Sequence, residues 1–317
     1  MNLAKIDVFL VILFATACCG LVADPMLSRV ESAESHIVIL SSQNEAPYRQ
    51  AADGFTRFLS SQNIKATYAA YRLSNEPSHN RHIIEKIKME KPDLLFTLGS
   101  SATEVACGEM RVPVVSSFIV NADPLRRCPN ATGVYLEYPV ETQLRWMKRI
   151  LPVVRSVAVL YNRDENGSRI QEAMRSAKSM GLRLHAFRVD DPKDIPEALN
   201  KVLDSEADVL WGMSDRIVIN SNTARQLILF SFRNKLPLVG PSQAWVKAGA
   251  LYALERDYDH IGMQCGEIAL RVLEKTRASS IAPSAPKKVI YYMNSNSFSH
   301  FQLKISEAVM RGAHEIY

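Results

Sequence analysis

The sequence predicts an α/β protein of two similar lobes, each a doubly wound parallel sheet, and an internal repeat carries that prediction. From His36 the chain reads HIVIL, a loop, a helix-period stretch, a second apolar run, a polar helix, PDLLFTLGSSATEVA and VPVVSSF. From Ser156 the same order returns as SVAVLY, a loop and helix, a second run, a polar helix, ADVLWGMSDRIVI and LPLVGPS. Short Val/Ile/Leu runs alternating with helices are what a parallel sheet covered on both faces requires, because neither face of its strands meets water. Two such units in tandem describe two lobes facing one another across a cleft. At 317 residues, each lobe is long enough to bury a core of its own.

The elements follow in order. His36–Ser41 is the first strand, and Pro47–Asn63 places Ala51, Phe55, Phe58 and Leu59 on one helix face with Pro47 as a start signal. Strand Ala66–Tyr71, helix His82–Glu90 and strand Leu94–Leu98 come next. Gly99-Ser100-Ser101-Ala102-Thr103 then leads straight into a helix, followed by strand Val112–Val120. Residues Leu125–Asn130 read as an irregular connection and Thr132–Leu136 as a short strand leaving the first lobe. Helix Val140–Leu151 and strand Ser156–Tyr161 open the second lobe, whose copy of the repeat ends at Leu236–Pro241. Gly249–Leu254 reads as a strand returning to the first lobe. Helix Tyr258–Lys275 shows one apolar face through Ile261, Cys265, Ile268, Ala269, Val272 and Leu273. A Ser/Pro/Ala linker (Arg277–Pro286), strand Val289–Asn294 and helix Phe298–Arg311 close the chain. The expected division is 36–133 plus 250–284 for the first lobe and 134–249 plus 285–317 for the second. Crossings near Gly133, Gly249 and Pro286 make a three-strand hinge, which restricts relative motion to opening and closing.

Composition narrows the function classes. The chain is 47% hydrophobic and 22% charged with net charge +5, and its basic pairs at 126–127 and 287–288 are isolated. Without a basic stripe or interleaved aromatics, no nucleic-acid partner is expected. Lys5 precedes an apolar run, Val8–Ala17, too short to span a bilayer, with small residues at Ala15, Ala17 and Ala23. That is the shape of a signal peptide over residues 1–23, cleaved after Ala23. Ala15-Thr16-Ala17-Cys18 offers an alternative, lipidation at Cys18, though a leucine three residues before the cysteine is missing; a permanent N-terminal anchor is a third. Each implies an exported, periplasmic location. Of the remaining cysteines, Cys107 and Cys128 either form a disulfide, which an oxidising compartment permits, or stand with Cys265 as separate buried thiols.

The segments PDLLFTLGSSAT, IVNADP, NATGVYLE, SVAVLYNRDENGS, LPLVGPSQAWVKAGALYALERDYDHIGMQCGEIALRVL and VIYYMNSNSF follow one another along the chain. Together they resemble the substrate-binding proteins of a family of ABC transporters that includes members binding tryptophan and other aromatic amino acids. The resemblance runs from about His36 to the C-terminus, and its most specific part is KAGALxxxxxDYxxxG, Lys247 to Gly262. It implies a periplasmic-binding-protein type I fold and a protein that captures a small-molecule ligand, an amino acid and by preference an aromatic one, for delivery to an ABC permease in the membrane. It also implies a monomer without cofactor. The chain departs from the family where the usual proline of the glycine-hydroxyl loop is replaced (Gly99–Thr103) and where Ser214-Asp215-Arg216 stands in place of Asp-Asn. Two other functions compete: a clamp that signals to a membrane kinase or chemoreceptor, and an enzyme using the cleft.

The candidate ligand contacts lie at strand ends. Ser100, Ser101 and Thr103 start a helix, where free N–H groups and hydroxyls suit a carboxylate, although plain capping explains them too. Asp123 could pair with an ammonium or form an Asx turn before Pro124. Ser42, Glu45 and Tyr48 in the first lobe have counterparts in Asn162, Glu165, Asn166 and Ser168 of the second, the latter group also serving as caps. Asp215 either caps the helix that follows its strand or, as the resemblance implies, contacts ligand; Ser242 and Gln243 reach the cleft, while Asp257 reads as a cap. Trp211 and Trp245 are stacking candidates that an apolar core would equally hold. No catalytic or metal-binding set is expected: His79 and His82 lie in a polar loop, and no G-x-S-x-G, G-x-G-x-x-G or P-loop occurs.

Overall fold

The computed structural model describes residues 34–317. The expected signal peptide at 1–23 and the alternative at Cys18 lie outside the described residues. The chain is α/β. β1 (Ser35–Ser41), α1 (Ala46–Ser61), β2 (Ala66–Arg72), α2 (Pro77–Glu90), β3 (Leu94–Leu98), α3 (Ser100–Glu109), β4 (Val114–Ser117), α4 (Asp123–Arg126) and β5 (Ala131–Val134) alternate along the first sheet. Its order is β2-β1-β3-β4-β5, with every pairing parallel. α5 (Val140–Ile150) leads to β6 (Ser156–Tyr161), α6 (Arg163–Ser179), β7 (Arg183–Arg188), α7 (Ile195–Asp204), β8 (Val209–Trp211), α8 (Ser221–Arg233) and β9 (Leu238–Val239). That second sheet has the order β7-β6-β8-β9, again parallel, so the sequence repeat is a repeat of topology.

The inner strands of both sheets are buried on both faces, which is why β1, β3, β6 and β8 read as continuous apolar runs, whereas the edge strands β2 and β7 are partly exposed. In β1, Ile37 and Ile39 point into a core with α1, while Val38 and Leu40 point into a second core with α2 and α3. In β6, Val157 and Val159 face α5 and α6, and Ala158 and Leu160 face α7 and α8. This is the two-residue period of a strand sampled on two apolar sides.

The remaining elements are α9 (Gln243–Ala248), β10 (Tyr252–Arg256), α10 (Tyr258–Leu273), β11 (Val289–Met293), α11 (Ser295–His300), α12 (Glu307–Gly312) and β12 (Glu315–Ile316). The strand expected to return to the first sheet at 249–254 is β10, which instead pairs antiparallel with β11 in a three-stranded sheet of order β10-β11-β12. Leu251 N donates to Leu238 O at 2.7 Å and Gly240 N to Tyr252 O at 2.9 Å, and Leu251 and Tyr252 pack in the core of α5 and β6. β10 follows a short helix as β5 does, and each leads into a helix, α10 and α5 respectively, that packs on the other half of the chain.

The helix after each of these strands packs on the other half of the chain. α5 joins the core of β6, and α10 joins the core of β1 through Ile261, Cys265, Ile268, Ala269 and Val272. α10 lies so close to α1 that a Cβ on Gly262 would sit 2.0 Å from Ala51 O, and one on Gly54 would sit 2.2 Å from Asp259 O. Only glycine permits that approach. The single C-terminal helix expected over Phe298–Arg311 is two short helices instead. Gln302 adopts φ 54°, ending α11, and the Ser306 side chain accepts from Val309 N to begin α12.

Candidate functional site

At the C-terminal end of the first sheet, the turn from β3 into α3 requires Gly99 at φ +100°, a conformation that side chains avoid. A Cβ there would also strike Ser42 Oγ, which takes the N–H of Ala102 at 3.0 Å. Ser42 is therefore a helix cap supplied from the neighbouring strand. Thr103 is buried beneath this turn; its hydroxyl donates to Gly99 O at 2.9 Å and lies 3.1 Å from Thr97 Oγ1 and 2.6 Å from Ser116 Oγ. Ser100 and Ser101 are exposed, and their hydroxyls have no hydrogen-bond partner among the described residues. Glu45 is exposed at the start of α1. Tyr48 stacks on Phe118 (4.3 Å between centroids), which stacks on Tyr258 (5.3 Å). Phe118 has φ 61°, a left-handed conformation that costs a bulky residue about 1–3 kcal/mol.

The second sheet closes its equivalent turns with charge and amide groups. The Asp215 carboxylate is buried and accepts from Asn162 N (2.7 Å), Asn166 Nδ2 (2.9 Å), Ile217 N and Val218 N (both 2.9 Å). Asn162 accepts from Asp164 N and Glu165 N to cap α6 and donates to Val189 O. Asn166 also donates to Ser214 O, and its Oδ1 accepts from Arg169 Nη1 at 3.1 Å. Asp215, Asn162 and Asn166 form a brace whose hydrogen bonds are spent within the protein. Ser242 begins α9 with its hydroxyl unbonded among the described residues. Asp123 is exposed and lies 3.6 Å from Arg126. Gln243 reaches the C-terminal residues Glu315 and Tyr317, and Asp257 caps α10 through His260 N while pairing with Lys288 at 2.6 Å. Trp245 is core.

A cavity of about 350 Å³ opens where the crossing segments meet the ends of β8 and β9. Leu136, Glu137, Tyr138, Leu254 and Arg256 come from the crossings, and Trp211, Gly212, Ser214, Gly240 and Tyr252 from the second sheet and β10. Gln143 and Arg169 come from α5 and α6, and Val120 from the end of the first sheet. None of the ten ligand contacts expected from sequence lines it. Asp123 borders a neighbouring cavity of about 320 Å³ that shares Glu137, Tyr138 and Arg169. Trp211, read from sequence as core or stacking residue, is 2% exposed yet forms part of the wall.

The polar part of this cavity was missed in sequence. Arg169 Nη1 lies 2.8 Å from Glu137 Oε1, with the side chains 19% and 27% exposed. Burial raises the Glu137 carboxyl above its ordinary range despite Arg169 and Arg256, and burial likewise lowers the Arg169 guanidinium despite Glu137. Arg256 donates from Nε to Leu136 O at 2.9 Å and from Nη1 to Glu255 at 3.2 Å. The Tyr138 hydroxyl lies between Glu255 O (3.0 Å) and Lys288 O (2.9 Å), so one side chain touches all three crossings; burial holds it well above the usual phenol range. Two arginines and one carboxylate against Trp211 and Tyr252 suit a carboxylate-bearing molecule with an apolar body. Among the described residues, no group of three or more His, Cys, Asp or Glu side chains could hold a metal ion. No helix of the described residues is long and apolar enough to cross a membrane.

Twin parallel sheets of this order, each followed by a helix that packs on the other half of the chain, are the architecture of type I periplasmic binding proteins. A family model described as ABC transporter substrate binding protein matches residues 38–317, and the chain belongs to that family. A tyrosine-binding protein of Clostridioides difficile (strain R20291) is 22% identical over 224 residues, 67% of this chain and 63% of its own length; the chain thus spans a little under two thirds of that relative. Among solved structures, a ligand-free, open substrate binding protein with adhesive properties from Clostridium difficile matches with TM-score 0.73 and 17% identity, over 89% of this chain and 98% of that one. An ABC domain in complex with L-Trp from Streptococcus pneumonia matches with TM-score 0.56 and 17% identity, over 90% and 100%.

Proposed function

We propose that this chain is an exported, periplasmic binding protein that captures an aromatic amino acid between its lobes and delivers it to an ABC permease. The observation carrying this reading is the cavity at the crossings, where Arg169, Arg256 and Glu137 stand beside Trp211 and Tyr252. Its volume of about 350 Å³ falls in the range of small-molecule sites. A tyrosine-binding relative and an L-Trp-bound structural neighbour are consistent with that choice of ligand.

In this reading the lobes are 36–133 plus 250–284 and 134–249 plus 285–317, with the segment around β10 lying at the hinge. The ligand carboxylate docks on Arg169 and Arg256, and its ring lies along Trp211 and Leu254. Of the residues expected from sequence, Ser100, Ser101, Glu45, Asp123 and Ser242 remain available to close over the ligand. Ser42, Thr103, Asn162, Asn166 and Asp215 hold the walls. Closure follows from the ligand binding the closed arrangement more tightly than the open one, and the chain performs no covalent step.

The test is native mass spectrometry of the purified protein, with thermal shifts against the common amino acids. At one hundred times Kd, the bound ligand stabilises by about 2.7 kcal/mol, a clear rise in Tm. Arg169→Leu removes that rise. A protein that releases no small molecule and responds to no amino acid sinks the reading.

A further inference from the structure

We infer that the Glu137–Arg169 pair is a zwitterion selector, admitting a ligand only when it carries both an ammonium and a carboxylate on the same carbon. This rests on the cavity being the ligand site proposed above. Both side chains border the cavity, and they are only 19% (Arg169) and 27% (Glu137) exposed. The contacts of Arg169 with Glu137 and with Asn166 use the same nitrogen, Nη1, so Nε and Nη2 have no acceptor among the described residues. Those two donors share the guanidinium plane and present the fork that a carboxylate accepts.

Neither partner is free to turn away. Arg169 is tethered through Asn166, whose amide is bonded to Asp215 and Ser214 O, and that carboxylate is tied to backbone N–H groups in turn. Glu137 sits in a crossing whose backbone N–H donates to Val120 O at 3.0 Å. The pair is thus fixed from two directions.

The selectivity follows from desolvation. A ligand filling the cavity excludes the water that solvates the outer side of each charge. A carboxylate without an amine satisfies Arg169 but leaves the carboxylate of Glu137 facing an apolar or negative group. An amine without a carboxylate satisfies Glu137 and strands the fork of Arg169. Leaving a buried charge short of partners is more costly than any neutral contact gains, so each singly charged analogue is rejected by a site built for both.

The experiment is calorimetric titration of the full mature protein, freed of bound ligand, with L-tyrosine, L-tryptophan and L-phenylalanine. The same titrations use their des-amino acids (3-arylpropionates) and their decarboxylated amines. Expected is one amino acid binding with each singly charged analogue weaker by about 100-fold. Glu137→Gln then weakens the amino acid while narrowing its advantage over the arylpropionate to about tenfold or less. Circular dichroism and Tm confirm that this variant folds, and Glu137→Asp serves as a conservative variant that keeps the charge and the preference. If an arylpropionate or arylamine binds the wild type as tightly as its amino acid, the selector is overturned while the binding reading stands. If none of the nine compounds binds, the aromatic ligand class falls and the selector with it.

Discussion

The two sheets share a strand order, yet they finish their C-terminal turns with different chemistry. The first uses hydroxyls: Ser42 caps α3 across a glycine, and Thr103 gathers Thr97, Ser116 and Gly99 O beneath it. It leaves Ser100 and Ser101 uncommitted at the helix start. The second uses a buried carboxylate and two amides, all committed to protein groups, ending at Arg169. The difference teaches how a duplicated frame divides labour. A neutral hydroxyl cluster is cheap to bury and leaves an open helix start, whereas a carboxylate with every lone pair engaged fixes a distant guanidinium in place.

The largest effect separating the two is expected at Asp215. Asp215→Ala leaves four donors without an acceptor in a site that water cannot easily reach, and should cost about 3–4 kcal/mol in urea unfolding. The same variant should weaken ligand binding beyond that, because Arg169 loses its tether. A variant of wild-type stability would show that the brace is no brace.

The disulfide belongs to the first sheet alone. Cys107 at the end of α3 joins Cys128 after α4, with Cα atoms 5.6 Å apart and 21 residues between them in sequence. In the chain-entropy treatment a loop of that length is worth about 3 kcal/mol. Cys107→Ser should therefore lower stability by about that amount in oxidising buffer, and the difference from wild type should vanish under reductant. Cys265, buried without a disulfide partner, should resist alkylation until the protein unfolds.

Thr103→Val probes the hydroxyl cluster. Its shape is kept, but Gly99 O keeps only the backbone N–H of residue 103 as donor, and Thr97 and Ser116 lose the oxygen that they share. A loss of about 1–2 kcal/mol is expected, with ligand affinity little changed. A large loss of affinity at unchanged stability would move Thr103 from the wall into the site.

How much of this was legible in the sequence depended on the range of the signal. Apolar runs and helix faces are local, so β1, β3, β6 and the faces of α1 and α10 were readable, as was the repeat that sets both sheet orders. The pairing of β10 was not, since nothing in the run Gly249–Leu254 shows that its partner is β11, far along the chain. The cavity was the least legible. Glu137 and Arg169 are separated by the whole of α5 and β6, and Arg256 lies far beyond both, so no spacing rule joins them. Attention went instead to polar residues next to strand ends. Several of those, Asp215, Asn162 and Asn166 among them, are spent on holding the turns. The one available hint was Glu137 itself, a carboxylate directly after an apolar strand at a lobe crossing.

The smallest effect concerns acid and centres on Glu137, which follows β5 of the first sheet and pairs with Arg169 of the second half. Burial raises the folded-state pKa of Glu137, outweighing the opposing pull of Arg169 and Arg256. Between its unfolded and folded values, the ligand-free protein thus holds a proton that the unfolded chain has released. Its contribution to stability is present at the acid side of that window and is lost as pH rises through it. A ligand ammonium acts the other way: it favours ionised Glu137, so binding releases the proton. The gain in Tm on adding ligand should consequently shrink on going from about pH 7.5 to about pH 5, by less than about 1 kcal/mol. Glu137→Gln should flatten that dependence, and calorimetry in two buffers of different ionisation enthalpy should detect the released proton in wild type alone. A ligand-induced gain that stays constant across the range would mean that the ammonium rests on some other group, and Asp123, beside the shared wall of the neighbouring cavity, would then be the next residue to change.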